Sequence, residues 1–79
     1  MKYENYKEKV KQLLALKAGV ETKEIYDDMF FGDDLNLGEY EITEILEELE
    51  DLFKIDVAYD QENLESVKDL YDLLEEKLE

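Results

Sequence analysis

At 79 residues the chain has the size of one small domain, near the limit at which a single apolar core suffices. It holds no cysteine, histidine or proline. Their absence excludes disulfides, thiolate metal sites and imidazole general bases. Twenty-four acidic residues against nine lysines give a net charge of −15, which repels phosphate backbones and anionic lipid, so neither nucleic acid nor a membrane surface is an expected partner.

The charge is unevenly spread. Residues 1–26 carry six lysines and four acids, a net +2, whereas residues 27–79 carry three lysines and twenty acids, a net −17. A basic protein surface would be steered toward the second part, with strong dependence on salt. A solvated surface that only maintains solubility explains the charge equally well. The opening MKYENYKEKVKQ is too polar for a secretory signal, and no stretch nears the roughly 20 apolar residues of a membrane span, so a cytoplasmic protein is expected.

The first apolar series, Tyr3, Tyr6, Val10, Leu13, Leu14 and Ala18, steps by three, four and one and predicts a helix to about Lys17. Gly19 stands where a left-handed C-terminal cap belongs. A connection of nearly twenty residues follows, from Val20 to Gly38. Its apolar residues Val20, Ile25, Met29, Phe30, Phe31, Leu35 and Leu37 predict a loop that packs inward rather than a loose one.

Ile42, Ile45, Leu46, Leu49, Leu52 and Phe53 predict a second helix with one apolar face. The opposite face is crowded with Glu41, Glu44, Glu47, Glu48 and Asp51. Like charges at these spacings repel by about 0.2–0.5 kcal/mol per pair, which folding does not require and partner binding would explain. Lys54–Leu64 is short and mixed, with room for one helical turn. Ser66-Val67-Lys68-Asp69 has the form of a capping box that opens a last helix, striped by Val67, Leu70, Tyr71, Leu74 and Leu78. The expectation is one all-α domain over residues 1–79: three main helices, one short helix and a long loop between the first and second. A monomer is expected.

In this order the elements resemble the acyl carrier protein family. Val10-Lys11-Gln12-Leu13-Leu14, Ala18-Gly19-Val20 and Glu24-Ile25 are similar to that family's first helix and loop. Asp33-Asp34-Leu35 resembles its approach to the second helix, and Glu44-Ile45-Leu46 with Leu49 through Val57 resembles that helix and the start of the connection after it. Leu64 through Leu70 is similar to the start of its last helix. The resemblance implies a bundle of this shape and a non-enzymatic role in lipid, polyketide or related synthesis.

It also implies a place for the family's cofactor, 4′-phosphopantetheine, on the serine of an Asp-Ser-Leu motif. Those three positions fall on Gly38-Glu39-Tyr40, and a carboxylate cannot form the phosphodiester. Ser66 is the chain's one serine, is explained as a cap, and stands too near the C-terminus for the helices that must come after the motif. No cofactor is therefore expected. The family's apolar contact positions fall on Thr43 and Glu47, which implies a more electrostatic recognition surface; Ala58 replaces a usual proline.

Glu39 has an ordinary explanation, since an acid in a helix's first turn gains about 0.3–1 kcal/mol from the dipole. Its charge could also imitate the lost phosphodiester, or be an engineered change, although the altered Gly38 and Tyr40 are not explained by one substitution. Asp33 through Glu39 invites a calcium-loop reading, which fails because glycine falls at the fifth rather than the sixth place from Asp34. Glu44 and Glu48 could pair as acid and base, but an exposed helix without a pocket gives them no substrate. Tyrosines 3, 6, 40, 59 and 71 are expected as core or rim packing.

The leading expectation is an interaction module in which Glu41, Thr43, Glu44, Glu47, Glu48 and Asp51 meet a basic surface of a protein partner such as a carrier-recognising enzyme. The alternatives are a working carrier with its attachment site elsewhere, and an acidic decoy that inhibits a cationic protein.

Overall fold

The computed structural model describes residues 6–78. Among them the chain forms α1 (Tyr6–Ala18), a 3-10 turn (Thr22–Glu24), α2 (Glu39–Phe53), a 3-10 segment (Ala58–Asn63) and α3 (Val67–Leu78). The architecture is all-α, as the periodicity predicts. The turn at Thr22–Glu24 is an extra element inside the long loop; Tyr3 lies outside the described residues.

α1 buries Val10, Leu14 and Ala15, while Leu13 is only half-buried. It ends as expected: Gly19 takes φ +74, and its N–H and that of Val20 donate to the Ala15 carbonyl at 2.9 and 3.0 Å. Glycine reaches this left-handed conformation without a Cβ penalty.

The connection from α1 to α2 packs inward, burying Ile25, Phe31, Leu35 and Leu37, although Val20 and Phe30 stay exposed. It is tied to the start of α3 by main-chain bonds across more than thirty positions. Phe31 N donates to Glu65 O at 2.9 Å, Val67 N to Met29 O at 3.0 Å, and Lys68 N to Asp27 O at 3.0 Å. Phe30 and Ser66 thereby form one antiparallel bridge. These bonds satisfy amides that a loop of this length would otherwise leave to water.

α2 buries Ile42, Ile45, Leu46 and Leu49, with Phe53 half-buried. Leu52 departs from the expected stripe and is 52% exposed. At 100° per residue its Cβ points roughly 75° from the centre of that stripe, past the edge of the core. The helix ends at Lys54 in the left-handed region, φ 58. The turn after it is held by Glu50, whose Oε2 accepts from Val57 N at 2.9 Å and Ala58 N at 3.0 Å.

α3 begins with the predicted box. Asp69 N donates to Ser66 Oγ at 3.2 Å, and Ser66 N donates to Asp69 Oδ2 at 3.2 Å. Val67, Leu70, Tyr71 and Leu74 then face the core. Lys77, in the last turn, approaches Asp60 Oδ2 at 3.7 Å and so links α3 to the second 3-10 segment. Buried side chains from every helix and from the long loop meet in one cluster.

Candidate functional site

The resemblance directs attention to the N-terminus of α2. Gly38 is its N-cap, in extended conformation (φ −87, ψ 176), and Glu39, Tyr40 and Glu41 form the first turn. Gly38 has no side chain to cap the helix. Glu41 supplies the reciprocal half of a capping box instead, its Oε1 accepting from Gly38 N at 2.9 Å. At the position where the resemblance expects a serine hydroxyl, the chain presents the Glu39 carboxylate, exposed at the helix tip.

The aliphatic hydroxyls of Thr43 and Ser66 are engaged. Thr43 Oγ1 lies 3.0 Å from Glu39 O and 2.9 Å from Gln61 Oε1, a donor shared between two acceptors. Gln61 Nε2 donates to Glu39 O at 2.9 Å. Gln61 thus clamps the first turns of α2 to the second 3-10 segment. Ser66 is buried and occupied as a cap.

α2 divides into stripes set by its 3.6-residue period. Glu39, Thr43 and Glu50 flank the core on the side of the second 3-10 segment, which explains the bonds that Thr43 and Glu50 make there. Tyr40, Glu44, Glu47 and Asp51 run along the outside, with Glu41, Glu48 and Leu52 beside them. Of the six residues expected to meet a partner, Glu41 is spent on its own cap and Thr43 on Gln61. Glu44 is drawn to α1, where Lys17 Nζ donates to its Oε1 at 2.8 Å. This bond holds the Lys17 ammonium above its ordinary pKa, helped by Glu48 and Glu41 nearby. Glu47, Glu48 and Asp51 remain exposed.

The outer face is also less purely electrostatic than its composition implies. Tyr40 is 75% exposed on the acidic stripe, and Leu52 adds an apolar surface at its C-terminal end. Tyr59 is 89% exposed. The expectation of core or rim packing therefore holds for Tyr71, which is buried, and for half-buried Tyr6, edge-on to it with ring centroids 6.5 Å apart. It fails for Tyr40 and Tyr59, whose rings stand in solvent.

Beside Glu39 an open cleft of about 920 Å³ runs between the long loop, the N-terminus of α2 and the second 3-10 segment. Phe31, Leu37, Ile42 and Leu64 form its floor, and Phe30 and Tyr59 stand at its lips. Glu50, Gln61 and the cleft were not legible in the sequence. Gln61 in particular carries no local signal, because its role exists only once the second 3-10 segment lies against α2.

The acids of the long loop do not converge on a cation. Among the described residues no group of three or more His, Cys, Asp or Glu is placed to hold a metal. Asp34 instead accepts from Phe30 N at 2.8 Å, closing the turn in which both lie. No helix among the described residues is long and apolar enough to cross a membrane.

No protein-family model matches the chain. Individual proteins do. The acyl carrier protein of Exiguobacterium sibiricum is 40% identical over 67 residues, covering 84% of this chain and 85% of that protein. The acyl carrier protein of Solidesulfovibrio magneticus is 30% identical over 71 residues, covering 89% and 91%. That of Buchnera aphidicola subsp. Baizongia pistaciae is 28% identical over 72 residues, covering 90% and 92%. The family is one of carriers rather than catalysts, and the chain belongs to the acyl carrier protein family.

Proposed function

We propose that this member of the family does not carry 4′-phosphopantetheine and serves as an acidic interaction module. The observation that carries the reading is the residue at the tip of α2. Glu39 stands where the resemblance places the acceptor serine, and a carboxylate has no hydroxyl to esterify. The aliphatic hydroxyls of Thr43 and Ser66 offer no substitute, since Thr43 is bonded to Gln61 and Ser66 caps α3.

The working surface is the outer side of α2. Glu47, Glu48 and Asp51 present charge, with Glu44 shared with Lys17, while Tyr40 and Leu52 offer contact area. A basic protein surface is the complementary partner, with charge steering encounter and the two large side chains serving as anchors. Carrier-recognising enzymes are the favoured class because family members share the shape that such enzymes meet.

Incubation with coenzyme A and a phosphopantetheinyl transferase, followed by intact-mass measurement, tests the proposal. The mass is expected to stay unchanged. A pantetheine-sized gain would overturn the reading and make the protein a carrier with its attachment site elsewhere. Partners recovered at low salt are expected to belong to acyl-transfer pathways. Nucleic-acid-binding proteins alone in that fraction would favour a decoy.

A further inference from the structure

The cleft beside Glu39 differs in character from the outer face of α2. Its floor is apolar, formed by Phe31, Leu37, Ile42 and Leu64, and an aromatic side chain stands free at each lip. Phe30 is 47% exposed, and Tyr59 is the most exposed large hydrophobic residue among those described. Leaving two rings in water forgoes burial that folding could otherwise use, so both are available to an occupant.

Asp33, Glu39, Glu62 and Glu65 surround this floor. None of these four carboxylates makes an ion pair or hydrogen bond among the described residues. The acids elsewhere on this side are engaged, Asp34 with Phe30 N and Asp60 with Lys77. The walls are fixed by the Gln61 clamp on Glu39 O and by the bond from Phe31 N to Glu65 O. The result is a braced groove with apolar floor, aromatic lips and unneutralised negative rim.

We propose that this groove docks an arginine-bearing segment of a basic protein partner. The three-carbon stem of arginine lies on apolar surface while its head stays polar. Its guanidinium plane stacks on aromatic faces and binds carboxylates in a fork, both better than a lysine ammonium does. The proposal rests on the interaction-module reading and adds a second anchor, in the groove, to the contacts offered by the outer stripe of α2.

The test is a nitrogen-15 chemical-shift titration of the full chain at low salt. The probes are two synthetic heptapeptides in which three arginines, or three lysines, alternate with glycine. Shifts are expected at Gly32, Gly38, Tyr59 and Glu62. The arginine peptide should bind about threefold more tightly than the lysine peptide, the scale of an exposed cation–π contact. Tyr59→Ala, at a side chain that supports no packing, should reduce that preference, and Glu39→Gln with Glu62→Gln should weaken both peptides. Equal affinity for the two peptides, or no binding, would overturn the proposal. Shifts confined to Glu47, Glu48 and Asp51 would also overturn it while leaving the α2-face reading intact. A pantetheine-sized mass gain in the separate transferase assay would overturn that reading without moving these shifts.

Discussion

Lys17 of α1 and Glu44 of α2, 27 positions apart, meet at 2.8 Å and join the mildly basic first helix to the acidic second. The pair is partly exposed, with side chains 26% and 40% accessible, so its role is tuning rather than foundation. It withdraws one carboxylate from the partner-facing side of α2. Lys17→Gln should lower the melting temperature slightly at low salt, with the deficit shrinking as salt rises. It should also tighten binding of a basic peptide, because Glu44 is released. Since Lys17 titrates above its ordinary value, its contribution is complete below the unfolded pKa and fades only as pH climbs through the folded one.

Glu50 holds the turn that places the second 3-10 segment. Glu50→Ala leaves the amides of Val57 and Ala58 without their acceptor, at a cost of about 1–2 kcal/mol. Denaturant unfolding should show this as a lower midpoint at unchanged slope. The two backbone bonds, Val57 foremost, hold the Glu50 carboxyl below its ordinary pKa. A depressed folded value means that the stability is present above the unfolded pKa and is lost as pH falls through the folded one. The variant should lose that part of the acid sensitivity.

Tyr71 carries a buried hydroxyl with no hydrogen-bond partner among the described residues. Its ring is fully used, against Tyr6 and under Lys7 Nζ at 5.2 Å. Tyr71→Phe keeps the ring and removes the stranded group, so stability should hold or rise by up to about 1 kcal/mol. Burial, with Asp27 and Glu8 adding to it, pushes the Tyr71 pKa up to about 12. The associated stability is present below the unfolded value near 10 and declines as pH rises toward 12. Alkaline melts of the variant should be flatter than those of the parent.

The motif at the tip of α2 can be rebuilt. Gly38 is in extended backbone that any residue adopts, and a Cβ there would meet only the end of the Glu41 side chain, at 3.0 Å. The triple change Gly38→Asp, Glu39→Ser, Tyr40→Leu should therefore fold with stability within about 1 kcal/mol of the parent. Circular dichroism melts would check that expectation. Given coenzyme A and a transferase, the triple variant should gain a pantetheine-sized mass while the parent does not. A triple variant that folds and stays unmodified would show that the transferase reads more than the motif.

Ser66→Ala should cost about 1 kcal/mol through the lost cap on α3, measured by chemical denaturation. Its mass after transferase treatment should match that of the parent, in keeping with a purely structural serine.

What the sequence determined by itself is the set of regular helices and the altered motif. Val10 with Leu14, Ile42 through Leu49, and Val67 through Leu74 recur at the helical period because each helix buries one face, and burial leaves that spacing in the chain. Gly19 and the Ser66–Asp69 box were legible because caps are local, closed by atoms within a few residues of one another. Gly38-Glu39-Tyr40 needed only to be read. Tertiary structure decided everything that depends on a neighbour distant in sequence. The long loop is shaped by Phe31, Met29 and Asp27 bonding to the start of α3, and no periodicity records such pairings. Leu52 reads as core in one dimension, yet a helix turns 100° per residue and carries it past the edge of what the neighbouring elements cover. The same limit applies to the acidic face, where composition supplied six candidate contacts. Lys17, Gln61 and the cap at Gly38 then engaged three of them, because a side chain's freedom depends on what the fold brings within reach.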